Sequence, residues 1–278
     1  GGAAATGRGV RGVNAPQSDT LSAAEHTMAL LLSQARNVPQ ASAALKAGRW
    51  ERSKWTGVEL SDKTLGIIGL GRIGKLVAQR ALAFGMKLVA YDPFVSEDRA
   101  RQLSVELLPL EELMARSDFI TLHLAKTPET AGLIDAAMLA RAKPSLRVVN
   151  VARGGIIDEA ALAAAVADGT IAGAAIDVFA TEPTTESPLF ELDQVVVTPH
   201  LGASTAEAQD KAGDTIADMV ELALAGDFVP YAVNVSAAEA SETVRPYLAL
   251  AEQLGRIFPG LRGDGSDGPE REYQGQIA

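Results

Sequence analysis

The feature that most constrains this chain is a glycine-rich turn between a short apolar run and an alanine-rich helical pattern. The apolar run covers residues 65–68, and the turn reads Gly69-Leu70-Gly71-Arg72-Ile73-Gly74. In this spacing the first glycine permits a tight turn, the second lets the backbone approach a pyrophosphate, and the third lets the helix pack against its strand. The pattern predicts a dinucleotide site at the amino terminus of the helix.

A second apolar run, residues 86–91, ends at Asp92, which lies 18 residues after Gly74. In dinucleotide-binding folds an acidic residue about 20 residues past the glycine turn accepts hydrogen bonds from the adenosine ribose. A carboxylate repels the additional 2′-phosphate of NADP, so Asp92 predicts NAD as the cofactor. The alternative is that Asp92-Pro93 is only a turn signal.

Composition limits the classes of function that remain. The chain has 278 residues, of which 47% are hydrophobic and 22% charged, which is enough for one large or two modest globular domains. A formal net charge of -10 argues against a nucleic-acid or anionic-membrane partner. The sequence has no cysteine, so it holds no disulfide and no zinc-thiolate site, and we expect no metal. We find no apolar span of membrane length and no signal-peptide pattern, which favours a cytoplasmic protein.

Strand and helix patterns alternate downstream of the glycine turn. The predicted strands are 65–68, 88–91, 119–122, 147–151, 172–178 and 195–197, and the predicted helices are 73–84, 110–116, 136–142 and 159–168. This alternation predicts an α/β fold, a Rossmann-type doubly wound parallel sheet, with remnants of a second domain. Before the sheet, Ser22 and Glu25 predict a capping box for an amphipathic helix that runs to Leu32.

Three charged residues follow predicted strands, at the edge where open α/β sheets bind their ligands. Arg153 follows residues 148–151, Glu182 follows 175–179, and His200 follows 195–199. A histidine can take a hydroxyl proton, a carboxylate can orient its imidazole, and a guanidinium can bind a carboxylate with two hydrogen bonds. The three residues predict hydride transfer at the hydroxyl carbon of a small 2-hydroxy acid.

Each of these residues has a simpler alternative. Arg153 could be a surface residue before a turn, and Glu182 could be a solvated loop acid. Two other histidines compete for the role of base. His26 lies within the amphipathic helix, where we expect a packing or interface role, and His123 ends a strand without an accompanying acid and glycine turn. The sequence therefore favours His200 as the base.

Four motifs in this order resemble those of the D-2-hydroxyacid dehydrogenase family. They are the glycine turn at 69–74, Asn-Val-Ala-Arg-Gly-Gly at 150–155, Ala-Ile-Asp-Val-Phe at 175–179 with Glu182-Pro183, and Pro-His-Leu-Gly-Ala-Ser-Thr at 199–205. The resemblance covers nearly all of the chain to Val235. It implies an NAD-dependent oxidoreductase in which Arg153 holds the substrate carboxylate and His200, paired with Glu182, is the acid and base.

The resemblance also implies a set of cofactor contacts. Asp177 would contact the nicotinamide carboxamide, and Arg72 and Ile73 would approach the pyrophosphate. The full cofactor-binding set that we predict is Gly69, Gly71, Arg72, Ile73, Gly74, Asp92, Ala152, Asp177, His200 and Gly202.

The family further implies how the chain is divided. We expect residues 1–17 to be a remnant of a substrate domain, 18–203 the NAD-binding domain, 204–235 a helix and return to the substrate domain, and 236–278 the truncated start of an intervening domain. The helix is predicted at 206–225, and extended segments are predicted at 10–13 and 231–235. Further predictions are a helix at 241–254, a linker at 260–268 and a strand at 272–278. Gly1 as the first residue suggests a fragment.

Two further expectations follow from the resemblance. The family packs the region of residues 36–60, which contains Trp50 and Trp55, across a dimer interface, so we expect a homodimer or higher homo-oligomer. Ala125 and Ser145 stand where the family pattern leads us to expect Pro and Gly. Two alternatives remain open from the sequence: a member of the family with a different 2-hydroxy acid substrate, and a module that binds NAD without turnover.

Overall fold

The computed structural model describes residues 2–234 and residue 253. The chain divides into two compact units, one formed by Gln17–Lys211 and the other by Gly1–Pro16 together with Ala212–Ala278. The predictions for residues 241–254, apart from residue 253, and for 260–268 and 272–278 lie outside the described residues. The division of the chain into four segments stays a prediction.

The unit Gln17–Lys211 contains a seven-stranded sheet in which every strand pair is parallel. The strands are β1 (Thr64–Ile68), β2 (Lys87–Tyr91), β3 (Val105–Leu107), β4 (Phe119–Leu122), β5 (Arg147–Asn150), β6 (Gly173–Ile176) and β7 (Val195–Val197). Their order is β3-β2-β1-β4-β5-β6-β7, so β1 pairs with both β2 and β4. The order reverses at β1, where such sheets open a ligand crevice beyond their carboxyl ends. The Rossmann-type prediction is confirmed.

The helices are α1 (Gly2–Thr6), α2 (Thr20–Arg36), α3 (Val38–Lys46), α4 (Arg72–Ala83), α5 (Glu97–Gln102), α6 (Leu110–Arg116), α7 (Ala136–Leu139), α8 (Glu159–Ala167) and α9 (Ala206–Ala225), with a 3-10 helix at Pro188–Glu191. Alternate strand residues enter two different hydrophobic cores, because successive side chains of a strand point to opposite faces. Ile67 and Val149 pack in the core that α2 and α4 cover. Ile68 and Val148 pack in the core that α6 and α8 cover. The sheet is therefore covered on both faces, as a doubly wound fold requires.

The predicted capping box at the start of α2 is wrong. The helix begins at Thr20 after Asp19, and the Asp19 side chain makes no cap hydrogen bond. Ser22 is buried inside the helix, and its Oγ lies 2.7 Å from Thr205 Oγ1. A tertiary contact therefore uses the hydroxyl that a capping box would have used locally.

Five described elements have no counterpart among the predictions, namely α1, α3, α5, β3 and the 3-10 helix at Pro188–Glu191. The strand β3 has three residues and pairs only with β2, at the edge of the sheet. The helix α5 has six residues and begins after Ser96, whose Oγ accepts a hydrogen bond from Arg99 N at 3.4 Å. Only Ala100 is buried among the six residues of α5, so its sequence shows little apolar periodicity.

The described part of the other unit holds α1 and a short antiparallel return. Val13 bridges Ala232, and the Val233 N–H donates to the Gly12 carbonyl at 2.9 Å. The predicted strand at 10–13 is thus a single bridge, whereas the predicted helix at 206–225 has the bounds of α9. In the described part of the chain, no helix has the length and apolar character needed to cross a membrane.

Candidate active site

The glycine turn follows β1 directly and is fixed by close backbone contacts. Gly69 adopts φ +96°, and a Cβ at this position would lie 2.6 Å from the carbonyl oxygen of His123. Gly74 packs against the Gly69 carbonyl, so the helix α4 lies close to β1. A Cβ at Gly71 would meet no atom within 4 Å, which leaves its outer face open. This is the geometry that backbone approach to a pyrophosphate needs.

The amino terminus of α4 lies at the glycine turn. Gly71 precedes the helix, and no side chain caps it. Arg72 is exposed and Ile73 is partly buried at the first turn. The unpaired N–H groups of a helix terminus, together with the helix dipole, favour a phosphate at this place. The residues present therefore fit a dinucleotide.

Asp92 connects the end of β2 to the glycine turn. Its Oδ2 accepts a hydrogen bond from Leu70 N at 2.8 Å, and its Oδ1 accepts one from Phe94 N at 2.9 Å. Each carboxylate oxygen can accept more than one hydrogen bond, so these contacts leave acceptor capacity for a ribose hydroxyl. The hydrogen bond from Phe94 N to Asp92 Oδ1 forms a local turn at Asp92-Pro93. This turn leaves a ribose contact of the same carboxylate possible.

Lys75 interacts electrostatically with both Asp92 and Arg99. Burial lowers the pKa of Lys75, the charge of Arg99 lowers it further, and the charge of Asp92 acts in the opposite direction. Lys75 therefore contributes positive charge at the Asp92 end of the predicted cofactor site. No sequence pattern indicates this positive charge beside Asp92.

The turn that carries Arg153 is braced by Asn150, the last residue of β5. Asn150 is 2% exposed; its Nδ2 donates to the Arg153 carbonyl at 3.1 Å, and its Oδ1 accepts from Ala152 N at 3.0 Å. Arg153 itself is exposed, with Nη1 2.6 Å from the Ala152 carbonyl. The neighbouring Gly154 packs directly on the backbone of Phe179. The Arg153 turn thus adjoins the loop that leads to Glu182.

Glu182 and His200 form a direct pair. His200 Nδ1 lies 2.6 Å from Glu182 Oε2, and Glu182 Oε1 accepts a hydrogen bond from Phe179 N at 2.8 Å. Burial acts to raise the pKa of Glu182, but the hydrogen bonds from His200 and the Phe179 N–H outweigh it, so the pKa lies below its usual value. Glu182 is therefore ionised near neutral pH, and His200 Nδ1 must carry the hydrogen of their shared bond.

Asp177 shapes the backbone that presents His200. Its side chain is 0% exposed, and its carboxylate accepts from Leu201 N at 2.7 Å and from Gly202 N at 2.9 Å. The carbonyl of Asp177 accepts from His200 N at 2.8 Å, and His200 adopts φ +55°. Left-handed backbone is unusual for a residue other than glycine and persists where the surroundings fix it. Contacts of Asp177, Ala152 and Gly202 with a cofactor stay predictions.

The competing histidines occupy distinct places. His123 lies beyond β4, its Nε2 is 3.0 Å from Thr121 Oγ1, and burial lowers its pKa to about 3. It is therefore neutral at physiological pH and has no carboxylate partner in the described part of the chain. His26 contacts Asp177, with 3.2 Å between Nε2 and Oδ1. Only His200 of the three combines exposure at the sheet edge with a carboxylate on Nδ1.

Sequence reasoning missed three residues that build this edge: Asn150, Thr198 and His26. Asn150 lies in the same motif as Arg153, so its position beside the turn was a usable signal. Thr198 donates to Asp177 Oδ1 at 2.5 Å. The contact of His26 with Asp177 joins residues 151 positions apart, and no local pattern indicates it.

Comparison with known proteins places this geometry in one family. The profile of the family described as "D-isomer specific 2-hydroxyacid dehydrogenase, NAD binding domain" matches residues 28–202. A D-3-phosphoglycerate dehydrogenase of Mycobacterium bovis is 59% identical over 261 residues, which are 94% of this chain and 49% of that protein. One of Synechocystis is 47% identical over 277 residues, 99% of this chain and 50% of that protein. The chain thus spans about half the length of the curated relatives it matches.

Solved structures agree with this assignment. A D-lactate dehydrogenase of Aquifex aeolicus, determined with NAD and lactic acid, superposes with a TM-score of 0.74 at 29% identity and covers 84% of this chain and 76% of that one. The predicted cofactor, NAD, is confirmed at the level of the family. The chain belongs to the D-isomer-specific 2-hydroxyacid dehydrogenases and contains their NAD-binding domain.

Proposed function

We propose that the protein oxidises D-3-phosphoglycerate to 3-phosphohydroxypyruvate with NAD, the first step of serine biosynthesis. The observation that carries this proposal is the His200–Glu182 pair at the carboxyl edge of the sheet. The choice of substrate rests on the relatives named D-3-phosphoglycerate dehydrogenase, at 59% and 47% identity. Arg153, Glu182 and His200 are the catalytic residues of this proposal.

The pair defines which nitrogen of His200 acts. Glu182 occupies Nδ1, which leaves Nε2 with its lone pair to take the proton of the substrate hydroxyl. The ionised Glu182 stabilises the imidazolium that results and keeps the ring in this tautomer. In the reverse direction the same imidazolium returns the proton to the carbonyl oxygen of the oxo acid.

The remaining residues bind and orient the substrate and the cofactor. Arg153 would hold the substrate carboxylate through its planar guanidinium, and Asn150 fixes the turn from which it extends. Gly69, Gly71 and Gly74 with the first turn of α4 would hold the pyrophosphate, and Asp92 the adenosine ribose. When NAD is bound, its nicotinamide supplies the hydride acceptor.

A turnover assay tests the substrate. The chain is joined to the substrate-binding domain that the family resemblance implies, and 3-phosphoglycerate, D-lactate and D-glycerate are compared by NADH absorbance. We expect the highest kcat/KM with 3-phosphoglycerate. The second candidate is a family member with another 2-hydroxy acid, which the D-lactate dehydrogenase neighbour favours. A preference for lactate or glycerate would select it, and NAD binding without any turnover would indicate a non-catalytic module.

We also propose a cytoplasmic homo-oligomer. Trp50 is 81% exposed, so this segment presents a large apolar side chain suited to contact with a second copy. Sedimentation equilibrium is expected to give the mass of a dimer or a larger assembly at micromolar concentration. Trp50→Ser is expected to shift that mass toward the monomer. A monomeric wild type would contradict the proposal.

A further inference from the structure

His26 contacts the carboxylate that organises the His200 turn, although it lies on a distant helix. It is part of α2, and its Nε2 lies 3.2 Å from Asp177 Oδ1 and 3.1 Å from Thr198 Oγ1. The side chain of His26 is 19% exposed, whereas that of Asp177 is 0% exposed. The contact therefore lies beneath the surface of the site.

Three donors besides His26 surround the carboxylate of Asp177. Oδ1 accepts from Thr198 Oγ1 at 2.5 Å and from Leu201 N at 2.7 Å, and Oδ2 accepts from Gly202 N at 2.9 Å. Burial acts to raise the pKa of Asp177, but the hydrogen bonds from His26, Thr198 and the Leu201 N–H outweigh it, so the pKa is lowered. A buried carboxylate is stable only when donors surround it, so each donor matters.

The donor at His26 can be identified by elimination. Thr198 has one hydroxyl hydrogen, and the 2.5 Å contact with Asp177 uses it. Toward His26 the Thr198 oxygen can then only accept, and a carboxylate also only accepts. Nε2 of His26 must therefore carry a hydrogen, in either the neutral or the charged ring.

The position of His200 depends on Asp177. His200 N donates to the Asp177 carbonyl at 2.8 Å, and the next two N–H groups, of Leu201 and Gly202, donate to the Asp177 carboxylate. The backbone at His200 is left-handed, so it is held by these bonds and not by its own preference. If Asp177 shifts, the 2.6 Å contact between His200 and Glu182 shifts with it.

We propose that His26 is a positioning residue that donates from Nε2 to the Asp177–Thr198 pair and thereby fixes the turn that presents His200 to Glu182. It touches neither substrate nor reacting atoms. The structural part of this inference stands on the geometry alone, and its kinetic consequence rests on the proposed function. His26→Gln retains an N–H donor at a similar reach, and His26→Ala removes it.

Amide hydrogen exchange in the 278-residue chain tests the structural part without any substrate. In His26→Ala we expect the amides of Leu201 and Gly202 to exchange about tenfold faster relative to those of β4, since a local opening becomes easier. In His26→Gln the ratio should return to within about threefold of wild type. Thr27→Val is the matched control, because Thr27 is buried on the same helix and donates to the Ala23 carbonyl instead. We expect it to leave the ratio unchanged.

Kinetics of the chain joined to its substrate-binding domain test the consequence. His26→Ala should lower kcat about tenfold, with the KM values for NAD and the hydroxy acid within about twofold, because a displaced acid-base group slows chemistry more than binding. His26→Gln should recover most of kcat. A residue that only packs α2 would lower Tm and leave the kcat of the folded enzyme unchanged.

Three results would overturn the inference: an unchanged exchange ratio in His26→Ala, the same raised ratio in Thr27→Val, or a His26→Gln protein that behaves as His26→Ala does. The third would show that the ring's volume matters and its N–H does not. An enzyme without turnover on any 2-hydroxy acid would refute the proposed function, and the exchange ratios would still decide the role of His26.

Discussion

The cofactor half and the catalytic half of this site are built in different ways. The cofactor half is one turn, in which Gly69 and Gly74 touch through their backbones and Asp92 reaches Leu70 across 22 residues. The catalytic half combines the segments after β5, β6 and β7, and side chains hold them together, with His26 contacting Asp177 across 151 residues. Substitutions in the cofactor half should therefore change the affinity for NAD, and substitutions in the catalytic half should change turnover.

The largest expected effect is that of His200→Ala in the chain joined to its substrate-binding domain. Loss of a general acid and base typically lowers the rate by about 10² to 10⁴, so we expect kcat to fall in that range. NAD affinity, measured by calorimetry, should stay nearly unchanged. His123→Ala is the matched control, since His123 is neutral and has Thr121 as its partner. Normal turnover in His200→Ala with loss of turnover in His123→Ala would show that the wrong base has been assigned.

Arg153→Lys should lower kcat/KM for the hydroxy acid by roughly 10- to 100-fold. A lysine keeps the charge but cannot reproduce the planar pair of hydrogen bonds to a carboxylate, and such charged bonds contribute about 1.5–3 kcal/mol each. Steady-state kinetics at saturating NAD would measure the effect, and the Kd for NAD serves as the internal control. If Arg153→Lys retained wild-type kcat/KM, Arg153 would not be the carboxylate ligand.

Asp92→Asn should change cofactor selectivity while leaving the catalytic half intact. Removing the carboxylate removes the repulsion of a 2′-phosphate and leaves the positive charge of Lys75, so we expect the NADP affinity to rise by about tenfold relative to NAD. Adding Lys75→Ala to Asp92→Asn should reverse part of that gain. Calorimetric titration of both cofactors measures the ratio. An unchanged ratio in Asp92→Asn would remove the basis for assigning selectivity to this residue.

The smallest effect concerns His123 and the stability of the fold in mild acid. The pKa of His123 is lowered from 6.5 to about 3, so below pH 6.5 the unfolded chain binds a proton that the folded chain does not. Stability is consequently lost as the pH falls, by about 1 kcal/mol between pH 6.5 and 5.5. The pKa values of Asp177 and Glu182 are lowered, so both groups stay ionised between pH 6.5 and 5.5 and do not contribute to this loss of stability.

His123→Asn should lose this pH dependence. Urea unfolding at pH 6.5 and 5.5 is expected to show a free energy of unfolding that falls less in the variant than in wild type. Equal decreases in the two proteins would mean that His123 titrates normally in the folded state.

The sequence predicted the parts of the molecule that depend on local pattern. The glycine turn, the parallel sheet and the bounds of α9 follow from spacing and periodicity over a few residues. The Arg153, Glu182 and His200 positions follow from a rule about the carboxyl ends of strands, and the structure pairs the last two. Each of these features is specified by residues close to it in the sequence.

Other parts could not be predicted for identifiable physical reasons. The spacing of Ser22 and Glu25 indicates a helix cap. The actual contact of the Ser22 hydroxyl, Thr205, lies 183 residues away, so no local pattern reveals it. His26 was assigned a packing role because its partner lies beyond β6. The sequence does not show that the buried carboxylate of Asp177 has donors on both α2 and the segment after β7, since that requires the folded sheet.

Calorimetric titration of the 278-residue chain with NAD and with NADP tests the central claim most directly. The account states that the glycine turn, the amino terminus of α4 and Asp92 supply most of the affinity for NAD, and that the imidazole of His200 contributes little to it. It predicts NAD binding at least about tenfold tighter than NADP binding, with the same Kd for NAD in wild type and in His200→Ala. Absence of NAD binding, equal affinities for the two cofactors, or a preference for NADP would contradict it.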